Sequence, residues 1–200
     1  WHVWEPVTFP GIKETKYQYD HKEKIVCARS EGSASGYARD FPGSLTEYPV
    51  LGWEWNISDT VPGGDVRSRE TDDYSARVYV NFEKGEDWGW WERTKASIYE
   101  TFYGRDIPGK TLTFIWSNQL PAGESVESSY TTHSRMIALQ QGNDRAGEWV
   151  SERVNILEWY RKTFGSDPPP VHSIAIMTDA DNTGTSVGAC YREIVLFSSR

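Results

Sequence analysis

Apolar and polar positions alternate with a period of two along most of this chain, the spacing of half-buried strands rather than of helices. Over 74–82, Tyr74, Ala76, Val78, Val80 and Phe82 fall on one face, and Arg77, Tyr79 and Asn81 on the other. Over 147–156 the same alternation sets Trp149, Ser151, Arg153 and Asn155 on one side. Trp53 and Trp55 project from one face with Glu54 opposite; turned outward the pair is a stacking platform, while Val50, Leu51 and Ile57 beside them favour a core face. Shorter strand-like runs occupy 16–20, 24–29, 37–39, 112–118 and 134–140, and 30–36 (SEGSASG) reads as a tight corner.

Two runs near the end stand out. Residues 173–178 are almost continuously apolar, and 190–197 alternate, with Cys190, Arg192, Ile194 and Leu196 against Tyr191, Glu193, Val195 and Phe197. A polar loop between them predicts a hairpin. Before it lies a short helix, with Asn155 as N-cap, Glu158 in the first turn, Arg161 and Lys162 in the last, and Gly165 as a left-handed stop. Pro168, Pro169 and Pro170 bar its continuation. Eight to ten short strands, one or two helices and no βαβ rhythm predict an all-β chain: an antiparallel β-sandwich of jelly-roll type, spanning 1–200 as a single domain.

Composition narrows the function. With 29 Asp and Glu against 21 Lys and Arg, the net charge of -8 argues against nucleic acid, which needs a basic footprint. No apolar run reaches the ~20 residues of a membrane span. The chain opens at Trp1 without Met or a signal-like segment, which reads as a trimmed N-terminus. Ten Trp, 11 Tyr and 7 Phe exceed what one core absorbs easily, because indole and phenol groups carry polar atoms that need partners. Some of these rings are therefore expected on a surface. Cys27 and Cys190 lie in strand-like runs near opposite ends of the chain, where a disulfide and two separate buried thiols both remain open.

The chemistry-bearing positions fall into three groups. Asp179, Asp181, Asn182 and Thr183 place three carboxylate or amide groups and a hydroxyl within five residues, the oxygen set that Ca²⁺ prefers. The alternative is a polar turn whose side chains bond its own backbone. Trp88, Trp90 and Trp91 crowd one loop, and with Arg77, Tyr79, Trp116, Asn118 and Arg153 they form a candidate ligand lining. Asp72, Asp73, Glu148 and Glu152 are the candidate catalytic carboxylates, with no spacing that singles out a pair. Neither His2, His21, His133 nor His172 shows metal-ligand spacing.

Several long motifs resemble a bacterial family catalogued as domain of unknown function 3047. They are ARSEGSASG (28–36), YPVLGWEWNI (48–57), DDYSARVYVNF (72–82), FIWSN (114–118), GEWVSERVNILEWYRKTFG (147–165) and IAIMTDADNTG (174–184). The resemblance covers nearly the whole chain, departing at Cys190 and Arg192–Glu193 and in a longer, more aromatic 86–104. Family members look like exported envelope proteins, which implies a periplasmic or extracellular setting where a disulfide persists.

Surplus aromatic rings, acidic charge and planar polar side chains together predict a polysaccharide-binding domain, because sugar C–H faces sit on rings and sugar hydroxyls need planar polar partners. The competing expectations are a glycoside hydrolase or polysaccharide lyase on the same scaffold, and a structural or partner-binding envelope protein.

Overall fold

The computed structural model describes residues 4–41, 43–84 and 109–198, which build two sheets packed face to face. Strands are numbered in chain order. The seven-stranded sheet runs β1 (Glu5–Val7), β4 (Ala34–Asp40), β11 (Val171–Asp179), β6 (Arg77–Phe82), β7 (Thr111–Ser117), β9 (Ser134–Gln141), β8 (Ser125–Glu127). The five-stranded sheet runs β10 (Val150–Asn155), β5 (Val50–Ile57), β12 (Ser186–Phe197), β3 (Ile25–Glu31), β2 (Lys16–Asp20). Pairings are antiparallel except β7 with β9. This is the jelly-roll sandwich that the alternation predicts.

The inward positions are those the pattern assigns. Val78, Val80, Phe82, Leu112, Phe114, Ile174 and Ile176 meet Leu51, Trp53, Trp55, Ile57 and Tyr191, all at most 2 % exposed. Trp55 is the centre of an aromatic stack, with Trp53 edge-on at 5.3 Å and Trp116 tilted at 5.8 Å. Helix α1 (Ile156–Phe164) begins where the Asn155 side chain accepts from the Glu158 N–H and ends at Gly165 with φ 70°, as its cap residues predict.

The predicted terminal hairpin is not formed. Strand β11 belongs to the seven-stranded sheet and β12 to the five-stranded one, so the 180–185 loop crosses the edge of the sandwich. Alternation reveals which face a residue takes but carries no information about which strand lies alongside. The 30–36 segment makes a parallel crossing: β3 runs to Glu31 and β4 starts at Ala34 in the opposite sheet. The two crossings are stitched together, Gly32 N–H donating to Thr185 O at 2.8 Å and Ala180 N–H to Ser33 O at 3.0 Å.

Strand β12 also breaks its own alternation. A bulge between Arg192 and Val195, with Glu193 at φ 54°, reverses the parity. Tyr191 faces inward before it and Ile194 and Leu196 pack on the core after it. Phe197 is thereby turned outward over Gly52, where a Cβ would fall 2.6 Å from its ring.

At the crossing end, Arg77 is enclosed. Its Nε donates to Asp179 Oδ1 at 2.8 Å, and a terminal nitrogen reaches both Asp179 Oδ2 and the Asp72 carbonyl. The guanidinium lies 4.6 Å from the Tyr74 ring centroid, and its second terminal nitrogen is 3.6 Å from the Asp72 carboxylate. One buried cation thus holds β6, the end of β11 and the 72–74 turn together.

On the opposite sheet, Cys27 and Cys190, directly paired across β3 and β12, form a disulfide on the outer face. It closes 163 residues of chain, and removing it by a Cys27→Ala/Cys190→Ala double replacement is expected to cost about 2–4 kcal/mol. Denaturant titration under oxidising conditions measures this; an unchanged midpoint would show that the β3–β12 ladder alone suffices. Arg77→Met leaves Asp179 buried without its cation and is expected to cost about 3–5 kcal/mol, most of it recovered in Arg77→Met/Asp179→Leu. Equal destabilisation of the single and double variants in the same titration would contradict the ion-pair account.

Candidate functional site

The outward residues of the seven-stranded sheet form transverse rows fixed by the register. One row reads Asp40, Ser173, Asn81, Thr111, Ser134, and the next Ala38, Ala175, Tyr79, Thr113, Met136. In the first, Asn81 Nδ2 donates to Ser173 Oγ at 3.1 Å, and Asn81 Oδ1 accepts from Thr111 Oγ1 at 3.1 Å. In the second, the half-buried Tyr79 donates to the thioether of Met177 at 3.5 Å and has the Arg77 guanidinium beside its oxygen. Burial holds its phenol above the ordinary value. A strong donor matched to a weak acceptor, on a floor of small and hydroxylated side chains, is the most ligand-ready feature of this face.

The far part of the same face is closed. The 58–75 loop lays Val66 and Tyr74 over Ile115, Met136 and Ala138, with Leu120 alongside, as a second apolar cluster. Asn118 secures that loop, its Nδ2 donating to Val61 O at 3.2 Å and its Oδ1 accepting from Thr60 Oγ1 at 3.2 Å. Tyr79, Asn81 and Ser173 are not part of that cluster; Tyr79 and Asn81 are half-buried, and Ser173, Thr111 and Thr113 are buried.

Carboxylates converge beside Arg77. Oxygens of Asp73, Asp179 and Asp181 lie within 4.8 Å of one another. Asp73 joins the residues the sequence reading proposes for a cation, and nothing in its local spacing signals this, because the contact spans more than a hundred residues. Its carboxylate accepts from the backbone N–H groups of Asn182 (3.3 Å) and Thr183 (2.6 Å), fixing the crossing loop. The Asn182 amide turns away, donating to Arg69 O and to Tyr130 Oη, and Thr183 Oγ1 meets Thr185 Oγ1 at 2.9 Å. Burial pushes Asp179 up, to about 8, against the pull of Arg77. Burial likewise raises Asp72, and burial together with Asp73 raises Asp181. These directions share one cause: burial raises each carboxyl, and Arg77 does not fully offset it.

The remaining predicted residues have other surroundings. Trp116 is 1 % exposed in the core and donates to Gly142 O at 2.9 Å. Arg77 is enclosed in its ion pair, and Arg153 lies on the opposite sheet with its guanidinium 4.0 Å from the Phe197 ring centroid. Trp88, Trp90 and Trp91 lie outside the described residues. Among the carboxylates, Glu148 is exposed beside Arg145, and Glu152 accepts from Trp55 Nε1 at 3.2 Å and Gln140 Nε2 at 2.7 Å. Burial raises Glu152 against those bonds.

Of the rings expected on a surface, Tyr48 and Tyr130 are exposed, and no indole among the described residues is. Trp53, Trp55 and Trp116 are core. Half-buried Trp4, Trp149 and Trp159 each carry a cation over the ring, from Arg39, Arg192 and Lys162 respectively. The chain's own side chains thus occupy the ring faces that composition leaves over.

The fold is shared with proteins of little sequence similarity. The xyloglucanase domain of NopAA, a type three effector from Sinorhizobium fredii in complex with cellobiose, aligns with a TM-score of 0.50 at 11 % identity, covering 98 % of this chain and 93 % of that one. The family 11 carbohydrate-binding module of the cellulase Lic26A-Cel5E of Clostridium thermocellum aligns with a TM-score of 0.47 at 11 % identity, covering 98 % and 88 %. No protein of curated function matches the sequence. The sequence pattern of one family, described as protein of unknown function (DUF3047), matches residues 2–195, and the chain belongs to that family.

Proposed function

We propose that this protein binds a polysaccharide on the outer face of its seven-stranded sheet. The observation that carries the reading is the strip of Tyr79, Asn81, Ser173 and Thr111. A phenol that donates to a thioether stands there between Arg77 and an amide–hydroxyl ladder, on a floor made low by Ala38 and Ala175. A sugar hydroxyl is a better acceptor for Tyr79 than sulfur is, and the ladder offers both donors and acceptors to its neighbours. Support also comes from the fold, which this chain shares with a xyloglucanase domain seen in complex with cellobiose.

Binding fits the described residues better than cleavage. A glycoside hydrolase needs two carboxyl groups facing the scissile bond, one of them free to give a proton. Of the carboxylates that converge, Asp73 and Asp179 are 1 % and 2 % exposed and already hold backbone amides and Arg77. The half-exposed Cys27–Cys190 disulfide supports a periplasmic or extracellular location, where such bonds persist. No helix among the described residues is long and apolar enough to cross a membrane.

Calcium is a second element of the proposal, at Asp73, Asp179 and Asp181. It is supported by the excess of buried carboxylate over cation there. Carboxylate oxygens that accept one N–H keep a lone pair for a hard cation, and such an ion would brace the crossing loop rather than take part in chemistry.

On affinity gels carrying a panel of neutral polysaccharides, the protein is expected to be retarded by at least one. Tyr79→Phe and Asn81→Ala should each weaken that retention by about tenfold, or about 1.4 kcal/mol, while Arg153→Ala leaves it unchanged. Free migration on every polymer would remove the reading. Added Ca²⁺ is expected to raise the unfolding temperature by a few degrees by mass action, and Asp181→Asn to abolish that rise. An unfolding temperature indifferent to Ca²⁺ and to chelator would leave Asp73 as the anchor of the 182–183 turn alone.

A further inference from the structure

We propose a second, separate sugar site, for a carboxylate-bearing sugar, in a recess on the outer face of the five-stranded sheet. A cavity of about 360 Å³ opens there over β3, β12 and the end of β5. That volume lies within the range of small-molecule sites.

Its floor is Gly188. The register places Gly188 between Arg29 on β3 and Ser58 just beyond β5, with Ser58 N–H donating to Gly188 O at 2.9 Å and Gly188 N–H to Ser58 Oγ at 3.0 Å. The Gly188 backbone does not adopt the left-handed region, so its conformation does not demand glycine. A Cβ there would meet Ala28 O at 3.3 Å and Ser58 Oγ at 3.7 Å, filling the bottom of the recess. Glycine inside a strand weakens it and commonly marks a place where a ligand comes close.

The walls offer donors. Asn56, in the row above, is half-buried and its side-chain amide makes no hydrogen bond among the described residues. Arg29 uses Nε on Glu31 at 2.9 Å, which leaves its two terminal nitrogens for a guest. Ser186 adds a hydroxyl at the rim. An amide and a hydroxyl suit sugar hydroxyls, and a guanidinium fork suits a carboxylate.

Charge selects the anionic sugar. Lys16 pairs with Arg29 across β2 and β3, and Lys13 Nζ donates to Glu31 O at 2.9 Å. These three cations surround one carboxylate, Glu31, which its bond from Arg29, then Lys16 and Lys13, holds below its ordinary range. The patch is locally positive on a chain of net charge -8. A negatively charged polymer would be steered to it and repelled by the rest of the surface.

The site does not rest on the seven-stranded face, and its test separates the two. The oxidised protein is titrated calorimetrically with oligogalacturonate, free galacturonate and cellobiose. Binding of the uronate oligomer is expected, with or without the monomer, and with no competition from cellobiose. Arg29→Gln and Asn56→Ala, both outward-facing changes, should each weaken it by about tenfold, and raising the salt severalfold should weaken it further. Tyr79→Phe should leave it untouched. The proposal is overturned if the uronate does not bind, if Arg29→Gln and Asn56→Ala bind it as the parent does, or if cellobiose displaces it.

Discussion

The architecture at the crossing end of this sandwich depends on one buried cation. Arg77 stands at the start of β6, and around it gather the last residue of β11, the 72–74 turn and, through its own backbone N–H at 3.4 Å, the Tyr191 hydroxyl of the opposite sheet. Tyr191 in turn bonds Met177 O at 2.8 Å and Thr178 Oγ1 at 2.9 Å. Enclosing a guanidinium is costly unless its charge and its N–H groups find partners, so each of these elements is constrained to a single arrangement. The consequence reaches the outer face: with the 72–74 turn fixed, the 58–75 loop closes over Ile115 and Met136.

Much of this was legible in the sequence. Alternation identifies the inward and outward residues of β6 correctly, the cap residues of α1 mark both of its ends, and the Trp53–Trp55 pair is core as its neighbours imply. Pairing was not legible. Strands β11 and β12 are adjacent in sequence and apolar enough for either sheet, and only long-range packing decides that the loop between them crosses the sandwich. The reversal of parity in β12 was equally hidden, because a bulge at Glu193 depends on strand curvature and leaves no glycine as a signal.

The candidate site was legible in part. Tyr79 and Asn81 follow from period two, and the proximity of Asp179 to Asp181 from their spacing. That Arg77 serves the fold, and that Asp73 anchors a turn over a hundred residues away, required three dimensions. Residue counts also mislead about aromatic surfaces, since a composition cannot show that Arg39, Arg192 and Lys162 lie over the indoles left outside the core. The described surface therefore offers polar strips and a recess in place of a bare aromatic platform.

The most direct test of the central claim is a titration of the isotopically labelled protein with soluble oligosaccharides of neutral polysaccharides, followed by backbone amide shifts. The account predicts saturable changes concentrated on β6, β7 and β11 around Tyr79, Asn81, Ser173 and Thr111, with the Arg77 cluster unmoved. A spectrum unaltered by every oligosaccharide, or changes that bypass those three strands, would contradict it.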